Sequence, residues 1–256
     1  MAELVVIVPS RGRPEAAREL MQTFKDTCTA ETQLVIVIDD DDPRADEYPY
    51  GRSMRPNTSM VEALNVACWE MQFHDNEKVV GEHARLRKSA AAEFNWPRRP
   101  TWPWAAERGA FAVGFMGDDH RPRTKGWDQL YLDALRELGT GIVYGNDLLQ
   151  GERLATQVAM TTDIVRALGF MAPPVLRHMY VDNYWIDLGR MAGCLRYLPD
   201  VVVEHMHPLA GKAEWTEGHI RVNAEASYSA DRIAYMRYRA EQGLSRDVAK
   251  VKALRG

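Results

Sequence analysis

Cysteine is scarce in this sequence: Cys28, Cys68 and Cys194 are the only three in 256 residues. Odd in number and far apart, they suggest neither a disulfide framework nor a zinc cluster, and a reducing cytosol fits best. No apolar run approaches the roughly 18 residues of a membrane span. No charged-then-apolar leader opens the chain either, so the expectation is a soluble, unexported, cytoplasmic protein. A large excess of basic charge is also missing. The net charge of −4 argues against a protein that coats nucleic acid through bulk charge, while leaving room for a local basic surface. Internal repeats, low-complexity tracts and a glycine-rich phosphate loop are absent. What is present is 46% hydrophobic content, enough for one large α/β domain or two small ones.

The stretch FAVGFMGDDH, residues 111–120, is an apolar run that stops at two adjacent carboxylates. It reads as a buried strand that delivers Asp118 and Asp119 to the carboxyl edge of a sheet, where open α/β folds bind ligands. Two acids there repel each other unless a cation or a proton intervenes. Mg²⁺ is held by one or two carboxylates and shares its other positions with water and substrate phosphate, so a divalent ion is one reading. A solvated Gly-Asp-Asp turn is the other.

Two more buried strands precede it. Leu4-Val5-Val6-Ile7-Val8 ends at PSRGRP, and Leu34-Val35-Ile36-Val37-Ile38 runs into DDDDP. A helix from Glu15 to Phe24 lies between them, which makes a parallel pair joined by a right-handed crossover. Arg11 and Arg13 could answer phosphate, and Asp39 or Asp40 could accept hydrogen bonds from a base or ribose. Ordinary surface charge and a solvated turn are the plainer alternatives. Residues 57–73 read as a helix with Asn57 as N-cap; Asn65 on it is a binding candidate or a surface polar residue.

From His83 to Arg108, arginines and a lysine interleave with Trp96, Trp102 and Trp104 and with three prolines. Prolines at that density forbid a regular element across 96–104. The stretch reads as an excursion from the sheet, suited to stacking a sugar or a nucleic-acid strand or, more plainly, to covering the core. Pro122 to Trp127 reads as a loop, Trp127–Leu138 as an amphipathic helix capped by Gly139, and Ile142–Asp147 as a strand. A helix from Thr161 to Leu168 follows. Near Val181 another helix places Asp182 or Asn183 at its N-terminus, where the dipole keeps a carboxylate ionised and able to take a proton from a hydroxyl; a simple capping role is the alternative. In VVVEHMHP the alternation puts His205 and His207 on one side, as ligands for an ion already held by carboxylate or, equally, as structural histidines. From Arg232 onward seven basic residues face two acidic ones, the composition of a solvated helical tail.

Taken together, VVIVPSRGRP, VIVIDDDDP, GFMGDDHRPRTKGW, YVDNYW and VVVEHMHP resemble, in order and spacing, the GT-A glycosyltransferases, most closely the inverting family 2 enzymes and their small bacteriophage and actinobacterial relatives. The resemblance implies an α/β fold with a Rossmann-like, mostly parallel central sheet flanked by helices. It divides the chain into a glycosyltransferase domain at 1–210, with an excursion at about 75–108, and a C-terminal helical extension at 211–256. It implies that Pro9, Arg11, Arg13, Asn65 and Asp118 line the donor nucleotide and that Asp39 or Asp40 reads its base, often uracil. Asp119 would hold Mn²⁺ or Mg²⁺ with His205 or His207, Asp182 would be the general base, and Trp127, Asn183, Trp102 and Trp104 would meet the acceptor. Gly117 stands where the family's DxD motif has its first Asp, and Val181 replaces the Glu of its ED motif.

The implied activity is metal-dependent, inverting transfer of a sugar from a nucleotide-sugar, a UDP-sugar, to a hydroxyl on modified phage DNA, a virion protein or a glycan, in a bacterial or phage-infected cytosol. Alternatives are a metal-dependent nucleotidyltransferase and a non-catalytic module on a degenerate GT-A fold that binds nucleic acid or protein.

Overall fold

The computed structural model describes residues 2–39, 41–48, 51–54, 59–72, 109–215 and 224–256. Its frame is an eight-stranded sheet. The first half is built from β1 (Leu4–Ser10), α1 (Pro14–Thr27), β2 (Thr32–Asp39), β3 (Gly51–Met54), α2 (Met60–Gln72) and β4 (Ala112–Phe115). β1 lies between β2 and β4 and is parallel to both, and its apolar run is buried throughout. Each such aliphatic side chain contributes about 1.5–3 kcal/mol on burial, so the run fixes β1 at the centre of the sheet. Pro9 is tolerated in this central strand for a local reason. Pairing with β4 stops at Ile7↔Phe115, followed by a last bond from the Met116 amide to the Ile7 carbonyl. The N–H that Pro9 lacks would point to that same flank, beyond the ladder.

The second half holds β5 (His120–Pro122), α3 (Trp127–Leu138), β6 (Ile142–Asn146), β7 (Val158–Thr161), α4 (Thr162–Leu168), α5 (Val181–Ala192) and β8 (Leu195–His205). The strand order is β3-β2-β1-β4-β7-β6-β8-β5. β7 runs antiparallel to both β4 and β6, β8 is parallel to β6, and β5 closes the edge antiparallel to β8. The expected α/β architecture, a mostly parallel sheet flanked by helices, is therefore present, with the antiparallel pairings confined to β7 and β5. Three strands in it differ from expectation: β3 has no counterpart among the expected strands, β7 has only the tetrapeptide VAMT, and Pro122, expected to open a loop, ends β5 because β8 extends alongside it. β8 itself begins earlier than expected and ends at His205, so His207 lies past the strand.

The expected solvated tail is packed. In α6 (Glu225–Ala240) and α7 (Gly243–Arg255), Tyr235, Leu244, Val248 and Val251 are buried in the same core as Tyr184, Trp185 and Leu188 of α5. Spacing at i, i+4 and i+7 in α7 presents one apolar face to that core and leaves the basic residues outside. No helix among the described residues is long and apolar enough to cross a membrane. Asn57 and the excursion at 75–108 lie outside the described residues.

Candidate functional site

The carboxyl ends of β1 and β4 meet at Asp118, whose side chain is fully buried. Ser10 Oγ at the end of β1 donates to its Oδ2 at 2.5 Å, and Arg13 Nη2 lies 2.6 Å from its Oδ1. Arg13 Nη1 is 3.8 Å from Asp119 Oδ2, so one guanidinium faces both acids. Arg121, itself buried, donates to the Asp118 and His120 carbonyls at 2.7 and 2.8 Å and braces the turn from behind. Burial pushes the Asp118 carboxyl above the usual range, against the pull of Arg13. Tyr48 joins in: its hydroxyl is 3.0 Å from Ser10 Oγ and accepts from the Arg13 amide at 2.9 Å.

Asp119, His120 and His205 form the metal-type cluster, with one ligand atom of each lying within 4.8 Å of the others. Its origin is the β5–β8 ladder, in which His120 and His205 are register partners. Side chains of opposed residues share a face, and the two rings stack at 4.3 Å. Asp119 Oδ2 is 3.5 Å from His205 Nε2, and Asp119 Oδ1 is 3.4 Å from His120 Nδ1. Two donors that each bind a common ion at about 2.1 Å lie about 3–4 Å apart, so Asp119 and His205 fit Mn²⁺ or Mg²⁺ by both spacing and chemistry. His120 Nδ1 accepts from the Gly117 amide at 3.0 Å, and its Nε2 is 3.4 Å from Thr156 Oγ1, which donates to Asp147 Oδ2 at 2.9 Å. His120 is thereby tied into a chain of hydrogen bonds behind the cluster. Burial and then the neighbouring His205 push its pKa down. Burial would raise Asp147, but amides of Gly151, Leu149 and Gln150 donating to it outweigh that and hold it low.

Gly117 leaves room for this arrangement: a Cβ there would stand 2.5 Å from Asp119 Oδ1 and 3.1 Å from His120 Nδ1, so a larger residue would displace the Asp119 carboxylate.

Asp182 lies in the first turn of α5, after Tyr180, which caps the helix in the left-handed region at φ 65°. Its Oδ1 accepts from the Asn183 amide at 2.9 Å. Burial raises its pKa to about 6, opposed by the amides of Asn183 and Asp182 and, through space, by His205. Asp182 is thus within electrostatic reach of the metal-type cluster.

The remaining candidates separate into two groups. Pro9 and Arg11 stay at the β1 edge, and Arg11 Nη1 donates to Asp39 Oδ2 at 2.9 Å and to Asp41 Oδ1. Burial raises the Asp39 pKa while Arg11 opposes it. Asp42, buried, takes the Gly12 amide at 2.7 Å and locks the two strand-end loops together. His207 is one ring removed from the cluster, 5.1 Å from His205 and 6.0 Å from Trp215. Asn183 is half-buried beside Asp182. Two residues are elsewhere. Trp127 is fully buried, edge-on to Phe24 at 5.2 Å and to Tyr131 at 5.4 Å, so it serves the core and offers no face to an acceptor. Asn65 spends its side chain on the Met171 and Ala172 amides and the Ala172 carbonyl, pinning that loop to α2. Asp40, Trp102 and Trp104 lie outside the described residues. Sequence reasoning missed Ser10, Tyr48 and His120; for His120 the signal was its position next to Asp119 in the same motif.

No protein-family model matches this chain, and no curated protein matches it in sequence. Solved structures do. S. aureus TarS superposes over 94% of this chain with a TM-score of 0.52 at 12% identity; the chain spans 43% of that TarS chain. TarS 1–349 in complex with UDP-GlcNAc matches over 91% of this chain and 70% of its own, with a TM-score of 0.50 at 13% identity. The likeness is one of fold, and the fold is GT-A-like.

Proposed function

We propose that this protein is a metal-dependent glycosyltransferase that moves a sugar from a nucleoside-diphosphate donor, a UDP-sugar, to an acceptor hydroxyl with inversion at the anomeric carbon. One observation carries the reading. At a sheet edge of a GT-A-like fold stand a carboxylate and an imidazole spaced for a divalent ion, Asp119 and His205, and the charge of His205 acts through space on a second carboxylate, Asp182, whose pKa burial raises to about 6. The crystallisation of S. aureus TarS with UDP-GlcNAc supports a nucleotide-sugar on this fold.

The residues divide the work. Asp119 and His205 would hold Mn²⁺ or Mg²⁺, and the ion, when bound, neutralises charge on the departing diphosphate. Arg13, between Asp118 and Asp119, adds positive charge on the same side, and Ser10 and Arg121 keep Asp118 in place. Asp39, paired to Arg11, faces the donor's base. Asp182 takes the proton of the acceptor hydroxyl; a carboxylate with a pKa near 6 is still ionised at pH 7 and more basic than an ordinary one. The acceptor is a hydroxyl of modified DNA, a protein or a glycan, recognised with help from the basic, tryptophan-bearing stretch at 83–108. The setting is the cytosol.

The test is a thermal-shift panel of nucleotide sugars with and without Mn²⁺. One UDP-sugar should raise the melting temperature only with the metal, and Asp119→Ala should abolish that shift. A folded protein that answers no donor would sink the proposal.

A further inference from the structure

The loop that leads into α5 takes its shape from the other end of the chain. Asp231 of α6 is buried, and its carboxylate accepts three successive backbone N–H groups: Arg177 at 3.0 Å, His178 at 2.8 Å and Met179 at 2.7 Å. The next residue, Tyr180, is the left-handed cap of α5, and its hydroxyl bonds that of Tyr228, also on α6, at 2.8 Å. Further along α5, past Asp182, Tyr235 of α6 donates to Asp187 at 2.6 Å. Three contacts from one helix thus bracket Asp182 on both sides along the chain. A non-glycine residue held at positive φ persists only where its surroundings over-determine it, and here those surroundings are Asp231 and Tyr228.

We infer that Asp231 is a positioning residue for transfer: the C-terminal helix α6 sets where Asp182 stands against the acceptor, so the C-terminal segment completes the catalytic site. Amides of 177–179 left without the carboxylate would turn toward water and carry Tyr180 and the first turn of α5 with them. The donor side, built on β1, β4 and β8, has no share in these bonds. The inference rests on the reading of Asp182 as the base.

The experiment uses the full chain and the metal-dependent hydrolysis of the donor found in the panel, in which water takes the acceptor's place. Asp231→Asn, Asp182→Asn and the double variant are compared for kcat, donor KM and Mn²⁺ affinity. Asp231→Asn should lower kcat by about 10- to 100-fold, the range for small misplacements of reacting groups, with donor KM and Mn²⁺ affinity unchanged. The double variant should be no slower than Asp182→Asn alone, because a residue that acts through another gives non-additive losses. Unchanged kcat in Asp231→Asn, or losses that multiply in the double variant, would overturn the inference while leaving the base in place. Full turnover in Asp182→Asn, or a wild-type protein that consumes no donor, would remove the reading beneath it and the inference together. If Asp231→Asn does not fold, Tyr228→Phe decides: it removes one hydroxyl from a half-exposed ring, and a fall in kcat that Asp182→Asn absorbs supports the inference, while an unchanged kcat overturns it.

Discussion

Asp118 and Asp182 are two acids that burial raises above the ordinary carboxylate range, yet the regions around them differ in kind. Asp118 stands at the end of β4 among partners from the end of β1 and the loop after it: a hydroxyl from Ser10 and a guanidinium from Arg13. Asp182 stands at the start of α5 with amides of its own first turn, and among the described residues no guanidinium or ammonium group pairs with it. An acid already engaged by a cation sits where positive charge is to be held. An acid half-buried without one gains more from accepting a proton. On the proposed function, the same direction of shift accompanies donor binding at Asp118 and proton transfer at Asp182.

The largest test of that contrast is Asp182→Asn. Turnover should fall by about 10²–10⁴, the usual yield of base catalysis, while the metal-dependent donor shift persists. A variant that keeps more than about a tenth of wild-type turnover breaks the contrast, since base catalysis would then not lie there. The next effect is confined to the other region. Gly117→Ala puts a Cβ 2.5 Å from Asp119 Oδ1, so the carboxylate must shift. Mn²⁺ affinity, followed by the ion's paramagnetic resonance, should drop by about 10–100-fold, as when the support of a ligand is lost. Turnover should recover at high Mn²⁺ because Asp182 is untouched. Wild-type affinity in this variant would mean that the ion is held by other groups.

The half around Asp118 was the more legible one in sequence, and the reason is locality. LVVIV and LVIVI are buried on both faces, so their composition alone declares strands, and the polar residues that end them fall at the ligand edge by chain continuity. Asp118 and Asp119 follow from the same logic. The helix of Asp182 is equally local, with apolar residues at helical spacing up to Leu188. What escaped depends on partners far away in the chain. The chain stays extended through Pro122 only because β8, more than eighty residues later, runs beside it, and VAMT is too short to show a period. Trp127, next to a glycine after the acidic motif, invites an exposed reading; its burial is decided by Phe24 on α1. Asn65 looks like surface until the loop at Met171 and Ala172 closes on it. The grip of Asp231 on Arg177–Met179 has no sequence signal at all, because backbone amides carry no residue identity.

The smallest effect is thermal, and it tests the two acids without any ligand. A carboxyl whose folded pKa is raised from 3.8 to about 6 holds a proton in the folded state that the unfolded chain has released, so stability rises as pH falls through that window and is lowest above it. Below pH 3.8 both states carry the proton and the difference vanishes. Asparagine at 182 has no charge to bury, so Asp182→Asn should melt above the wild type at pH 8. For a relief of about 1 kcal/mol in a protein of this size the gain is about 2–4 °C. The gap should shrink as pH drops through 6 toward 4. Asp118→Asn gives up the Arg13 pair at the same time as the burial cost, so the two changes offset and its melting temperature should move less than that of Asp182→Asn. Melting curves at pH 8, 6 and 4 separate the outcomes. A gain at 182 that is the same at every pH would show that the carboxylate's charge is not what is strained there, and equal gains at 182 and 118 would erase the distinction between an acid held by a cation and one held without.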